Sequence, residues 1–167
     1  EFWIRYLQNS PLLREEILNL RYDHCHTVTR QHLLYTKFIY PLKGGECMAK
    51  ILVVDDEHLT VEMLSSYLSL MGHESIPAYS GRQTWDRLAY EEPDLILLDI
   101  QLPDENGLEI CRKLRAGDAT RNVPIIIISA HFPPMTKEAT AAGANGYLAK
   151  PIKLDALKAS LTSSGVG

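Results

Sequence analysis

From residue 48 onward, short apolar runs alternate with stretches in which apolar residues recur every three or four positions. The runs read as strands and the spaced stretches as helices, because side chains repeat with period 2 along a strand and about 3.6 around a helix. Lys50–Val54 is the first strand and ends in Asp55-Asp56-Glu57. Leu59, Met63, Leu64, Tyr67, Leu68 and Met71 then fall at helical spacing, with Gly72 placed to stop the helix. Residues 74–79 read as a second strand, near a sheet edge because it tolerates Pro77. Ser80 is placed to cap a helix running through Tyr90, with Trp85, Leu88 and Ala89 facing inward.

The third strand, 94–98, is the centre of the pattern. Its four apolar residues are bounded by Asp94 and Asp99 and followed by Pro103-Asp104-Glu105-Asn106-Gly107, so it reads as a strand buried on both faces that ends in a turn. Asp99 stands at the carboxyl edge, where an ionised carboxylate is costly unless solvated, paired or bound to a cation. Leu108, Ile110, Cys111 and Leu114 mark a third helix closed by Gly117, and 123–128 is the most apolar strand, followed by Ser129. Residues 134–142 read as a short helix delayed by Pro133-Pro134. Residues 147–149 form a fifth strand ending in Lys150-Pro151, and Leu154, Leu157 and Leu161 line a last helix.

Five strands alternating with five helices predict an α/β fold, a doubly wound parallel five-stranded sheet covered on both faces. With strand order 2-1-3-4-5, ligands bind outside the carboxyl ends, between strands one and three. Asp55, Asp56, Asp99, Ser129 and Lys150 all stand at such ends. Converging carboxylates repel one another unless a hard divalent cation neutralises them, and few oxygen ligands with room for water and phosphate suit Mg²⁺. A lysine adds a point charge for a phosphoryl oxygen and a serine a hydrogen bond, which together equip the site for phosphoryl transfer to a carboxylate.

Residues 1–47 differ in character. They carry six Lys/Arg against five acids, a net +1, and seven of the 13 aromatic residues; by subtraction from 17 and 21, residues 48–167 carry 11 against 16, a net -5. Neither helical nor strand periodicity persists there, and Pro41, Gly44 and Gly45 make a break before Met48. Two readings stay open: an N-terminal extension that is non-native or disordered, with Met48 the native start, or a short helical extension over 11–18 capped by Ser10. His24, Cys25, His26 and His32 lack the paired second half of a metal finger, and a solvated reading is preferred for them. The net charge of -4 gives no nucleic-acid footprint, and no apolar run approaches the roughly 20 residues of a membrane span. The three scattered cysteines and the lack of an opening signal pattern fit a cytoplasmic protein.

Four segments in order, Ile51-Leu52-Val53-Val54-Asp55-Asp56-Glu57, Leu97-Leu98-Asp99-Ile100-Gln101-Leu102-Pro103 with Asn106-Gly107, Ile128-Ser129-Ala130, and Gly146-Tyr147-Leu148-Ala149-Lys150-Pro151, resemble the receiver domains of two-component response regulators, chemotaxis-regulator-like. The resemblance covers 48–167 and implies a flavodoxin-like (βα)5 fold. It implies that Asp99 accepts a phosphoryl group from the phosphohistidine of a sensor histidine kinase or histidine phosphotransfer protein. It further implies that Asp56 and Asp99 ligate Mg²⁺ with the backbone carbonyl of Gln101, and that Asp55 helps hold the metal. Lys150 would pair with Asp99 and then with the phosphoryl group, while Ser129 and Tyr147 would act as switch residues that alter a surface read by a downstream protein partner. So the implied role is a phosphorelay signalling module rather than an enzyme, with no direct nucleic-acid or membrane contact.

Plainer roles are weighed alongside: Tyr147 as strand packing, Ser129 as a strand-end cap, Lys150 as a surface lysine, and Asp104 and Glu105 as solvated loop acids. Pro133-Pro134 departs from the family pattern and predicts a short or displaced fourth helix, while His131 and Gln101 flank the expected phosphoryl site. The chain reads as a stand-alone receiver or one cut from a longer chain. Other classes considered are a haloacid-dehalogenase-type phosphatase, which the residues after strand one fit poorly, and a phosphorylation-independent scaffold.

Overall fold

The structure, a computed structural model, describes residues 48–166. The expectations for the extension 1–47, including the helix 11–18 and the His24, Cys25, His26 and His32 group, lie outside the described residues. Ten elements alternate along the chain: β1 Lys50–Val54, α1 His58–Leu70, β2 Glu74–Ala78, α2 Gly81–Leu88, β3 Leu95–Asp99, α3 Gly107–Ala116, β4 Ile125–Ser129, α4 Thr136–Ala141, β5 Gly146–Ala149 and α5 Leu154–Ser163. All neighbouring strands pair in parallel, in the order β2-β1-β3-β4-β5. Pro77 sits on the edge strand β2, where its missing N–H faces away from the pairing with Val53.

The apolar runs have no polar alternation because both faces of the sheet are covered. Odd and even positions of β1, β3 and β4 divide between two cores. Leu52, Val54, Ile96, Leu98, Ile125 and Ile127 join Ile110, Leu114 and Ala139 on the face covered by α2, α3 and α4. Ile51, Val53, Leu95, Leu97, Ile126 and Ile128 join Leu64, Leu68, Leu157 and Leu161 beneath α1 and α5.

Four residues expected inside the helices lie outside. Leu59 and Met63 are exposed and the α1 stripe is Val61, Leu64 and Leu68; Leu59 lies two residues before Val61, about 200° around the helix, so both cannot face the sheet. Ala89 is exposed because α2 has ended at Leu88, and the fully buried Thr84 takes the inner position beside half-buried Trp85 and Leu88. Leu154 opens α5 and is exposed, leaving Leu157 and Leu161 to the core. Gly72, at φ +87°, ends α1 as expected, and Ser80 caps α2 by accepting from Gln83 N. Gly117 stops α3 in extended backbone at φ -82°. β4 begins at Ile125 rather than 123: pairing with β3 starts at Ile96↔Ile125, where Ile96 N–H donates to Pro124 O at 2.9 Å, while the Val123 carbonyl accepts from Arg115 instead. α4 is six residues, the shortened helix that Pro133-Pro134 predicts.

Arg115 staples the amino-terminal end of the sheet. Its guanidinium donates to the carbonyls of Gly143 (2.7 Å) and Val123 (2.8 Å) and to Asn145 Oδ1 (2.7 Å), with longer contacts to Arg121 O (3.2 Å) and Thr120 O (3.4 Å). Gly143, at φ +93°, leaves no room for a side chain, since a Cβ there would lie 2.8 Å from Arg115 Cγ.

Among the described residues, no helix is long and apolar enough to cross a membrane.

Candidate functional site

The polar residues at the carboxyl ends converge because parallel strands all point the same way. β1 stops at Val54, but Asp55 is still tied to β2 through its N–H, 3.1 Å from Ala78 O. Its side chain is fully buried, and its Oδ1 accepts from Glu57 N at 3.0 Å. Asp56, next in the chain, points to solvent. Asp99 ends β3, 4% exposed, and its Oδ1 accepts from Gln101 N at 3.2 Å. Lys150, immediately after β5, is held by its own N–H to Ser129 O at 2.8 Å. Its ammonium reaches back to Asp99 Oδ2 at 2.6 Å and Asp55 Oδ2 at 2.7 Å.

Glycine is required beside this acid. A Cβ at Gly107 would stand 1.9 Å from the backbone carbonyl of Asp99, so the loop 100–106 closes tightly against the strand end. An antiparallel bridge between Gln101 and Asn106, and the Gly107 N–H to Ile100 O bond of 2.8 Å, complete the closure. Asn106 caps α3 by accepting from Leu108 N.

Asp55, Asp56 and Asp99 offer carboxylate oxygens that all lie within 4.8 Å of one another. Burial pushes the Asp55 carboxyl above its ordinary pKa of 3.8; the Asp99 charge pushes the same way, and the Lys150 and Glu57 contacts oppose without cancelling. Burial also works against the Lys150 charge, but the two carboxylates outweigh it and hold the ammonium's pKa above 10.5. One ammonium against three carboxylates leaves two formal negative charges, and Asp55 Oδ2, shielded from water, faces that ammonium at 2.7 Å. An all-oxygen donor set with a two-charge deficit fits a hard divalent cation such as Mg²⁺ and not a thiolate- or imidazole-seeking metal.

Ser129 ends β4 fully buried, and its Oγ accepts from His131 N at 3.1 Å. Tyr147 is half-buried, packed against the α2–α4 core, with its hydroxyl 3.4 Å from Met135 N. The structure brings together Asp55, Asp56, Asp99 and Lys150, and among the described residues no hydrogen bond joins the Ser129 or Tyr147 side chain to these carboxylates. Asp104 and Glu105 are not free loop acids. Asp104 accepts from Gly81 N and Arg82 N at 2.7 and 2.8 Å, and Glu105 accepts from Trp85 Nε1 at 3.1 Å and pairs with Lys113. The α2 partners Gly81, Arg82 and Trp85 lie 23, 22 and 20 residues away, beyond the reach of any local pattern.

A family model for the response regulator receiver domain matches residues 51–162. The chain belongs to the response regulator receiver family. This receiver is 36% identical over 111 residues to the transcriptional regulatory protein CrdR of Helicobacter pylori, a match covering 66% of this chain and 52% of CrdR. Thus the chain spans about half the length of the curated relatives it matches. Among solved structures, the chemotaxis response regulator CheY4 of Vibrio cholerae superposes with a TM-score of 0.66 at 29% identity, covering 71% of this chain and 99% of that one. The receiver domain of sensor histidine kinase PA1611 from Pseudomonas aeruginosa superposes with a TM-score of 0.64 at 30% identity, covering 71% and 99%, and holds a magnesium ion in its active site cleft. The strand order and helix placement of this receiver are those of the chemotaxis-like, flavodoxin-like fold. Membership in this family replaces the phosphatase alternative.

Proposed function

We propose that this receiver accepts a phosphoryl group on Asp99 from the phosphohistidine of a sensor histidine kinase or histidine phosphotransfer protein, in a Mg²⁺-dependent step of a phosphorelay. The observation that carries the reading is the Asp99 carboxylate at the end of β3, its Oδ2 2.6 Å from Lys150 and its neighbours Asp55 and Asp56 within one cation's reach. A carboxylate oxygen of Asp99 attacks phosphorus, the P–N bond breaks, and its electron pair returns to the imidazole nitrogen. Asp55, Asp56, Asp99 and the Gln101 carbonyl are the groups that would hold Mg²⁺, which when bound supplies charge neutralisation and polarisation of phosphoryl oxygens. Lys150 neutralises Asp99 before transfer and donates to a phosphoryl oxygen after it.

The same reading makes Ser129 the hydroxyl that moves to bond the phosphoryl group, with Tyr147 following from its half-buried place. One new charge-assisted contact then biases a bistable surface for a downstream protein partner. The segment 48–167 is the receiver, acting as a phosphoryl acceptor rather than a turnover enzyme, in the cytoplasm. CrdR is named as a transcriptional regulator, a name that describes a protein about twice the matched length.

Intact-mass spectrometry of the full chain with Mg²⁺ and acetyl phosphate tests the proposal. The expected result is one phosphoryl adduct that requires Mg²⁺ and is missing from Asp99→Asn. An adduct that persists in Asp99→Asn, or no adduct where a control receiver is modified, refutes it.

A further inference from the structure

The loop that closes against Asp99 is fastened at its other side to α2. Asp104 places both carboxylate oxygens on the first two amides of that helix, Gly81 N at 2.7 Å and Arg82 N at 2.8 Å. Glu105 binds the Trp85 indole N–H at 3.1 Å and the Lys113 ammonium, joining α2 to α3 across the loop. The fit is close, because a Cβ on Gly81 would lie 2.9 Å from Glu105 Cβ.

The anchor itself is tied into the domain. Thr84 of α2 is fully buried and bonds Ser80 O, and Trp85 packs on the core. Tyr79, just before α2, donates its N–H to Gln83 Oε1 and sets its ring 4.1 Å from the ring of His58, three residues past Asp55. A continuous set of contacts therefore runs from the acidic pair after β1, through α2, to the loop that carries Gln101 and ends on Gly107. Within that loop the Gln101 N–H holds Asp99 Oδ1, and Gly107 touches the Asp99 carbonyl, so any shift of residues 101–106 moves the acid.

We infer that Asp104 and Glu105 are positioning residues that, by binding the 100–106 loop to α2, hold Asp99 and the Gln101 carbonyl in the geometry needed for cation binding and phosphoryl acceptance. The inference rests on Asp99 being the acceptor, and Mg²⁺ affinity supplies a readout separate from that chemistry. Charge-assisted bonds from two helix amides to one carboxylate are short and directional, and supporting groups of this kind decide how exactly a site is held.

The test compares wild type, Asp104→Ala, Asp104→Asn, Gly81→Ala and Arg115→Met, all as full chains. Mg²⁺ Kd is measured by titration calorimetry, the acetyl phosphate modification rate at saturating Mg²⁺ by intact mass, and Tm in parallel. Asp104→Ala is expected to weaken Mg²⁺ about tenfold, the lower end of what loss of a supporting group costs a metal site, and to slow modification. Asp104→Asn keeps one acceptor and loses less. Gly81→Ala retains the carboxylate but displaces the loop, and is expected to show the same loss, so it carries the test if Asp104→Ala does not fold. Arg115→Met, which destabilises the opposite end of the sheet, is expected to keep the wild-type Kd.

Wild-type Kd and rate in both Asp104→Ala and Gly81→Ala overturn the inference, as does an equal Kd loss in Arg115→Met, which marks a general stability effect. A wild type that binds Mg²⁺ without being modified refutes the acceptor reading, and the positioning role is then decided by Kd alone. A wild type that binds no Mg²⁺ overturns both.

Discussion

Arg115→Met removes the guanidinium that joins α3, the start of β4 and the turn before β5, while keeping an unbranched apolar stem. Three of its hydrogen bonds are short, at 2.7, 2.8 and 2.7 Å, and the two at 3.2 and 3.4 Å contribute little. At about 1.5 kcal/mol each, the lower end for a charged donor, the short bonds amount to about 4.5 kcal/mol. Releasing the side chain returns about 2 kcal/mol of rotamer freedom, which leaves about 2.5 kcal/mol. Gly143 and Val123 are half-buried, so water recovers part of what their carbonyls lose and the total stays near that figure. Urea unfolding should show a loss of about 2–3 kcal/mol with an unchanged slope, and thermal unfolding a Tm lower by roughly 10 °C. Arg115→Lys should recover little, because an ammonium cannot reproduce the planar fork. A loss below about 0.5 kcal/mol, the range of ordinary surface substitutions, would refute the argument that this network holds the sheet's amino-terminal end.

Two further outcomes follow from burial and charge. Leu64→Ala, at a fully buried position, should cost about 2–5 kcal/mol in urea unfolding, whereas Leu59→Ala, 72% exposed, should stay within about 0.5 kcal/mol; equal losses would contradict the α1 stripe. The Lys113 and Trp85 contacts hold the Glu105 carboxyl below its ordinary pKa of 4.5, so its contribution to stability is present above that pH and is lost as pH falls through the lowered folded value. Trp85 emission, read in a Trp3→Phe background, should therefore titrate with a midpoint below 4.5 that moves up in Lys113→Met; a midpoint at or above 4.5 in the parent would remove the pair from the account.

Most of the frame was legible from local pattern. Unbroken short runs such as Leu95 to Leu98, bounded by turn residues, read as strands covered on both faces, and the Ser80 and Gly72 signals act within a few residues of themselves. The acids were legible for the same reason, since a carboxylate directly after an apolar strand must sit at that strand's end. Helix faces were less legible: Leu59, Met63, Ala89 and Leu154 are apolar and near the right spacing, yet face out because helix ends and rotation are set by the packing partner. Asp104 is exposed, as a loop acid should be, but the bonds that tie it and Glu105 to α2 were not legible, because nothing near them in the chain announces the α2 partners.

The alternation, the parallel covered sheet and the residues at its carboxyl edge all follow from local pattern, because strand and helix periods are properties of adjacent residues. The partnerships, by contrast, come from the folded chain. Lys150 meets Asp99 across 51 residues, and Asp104 meets Gly81 across 23. Such contacts depend on where crossovers return the chain, a property of the whole sheet that no window of local sequence contains.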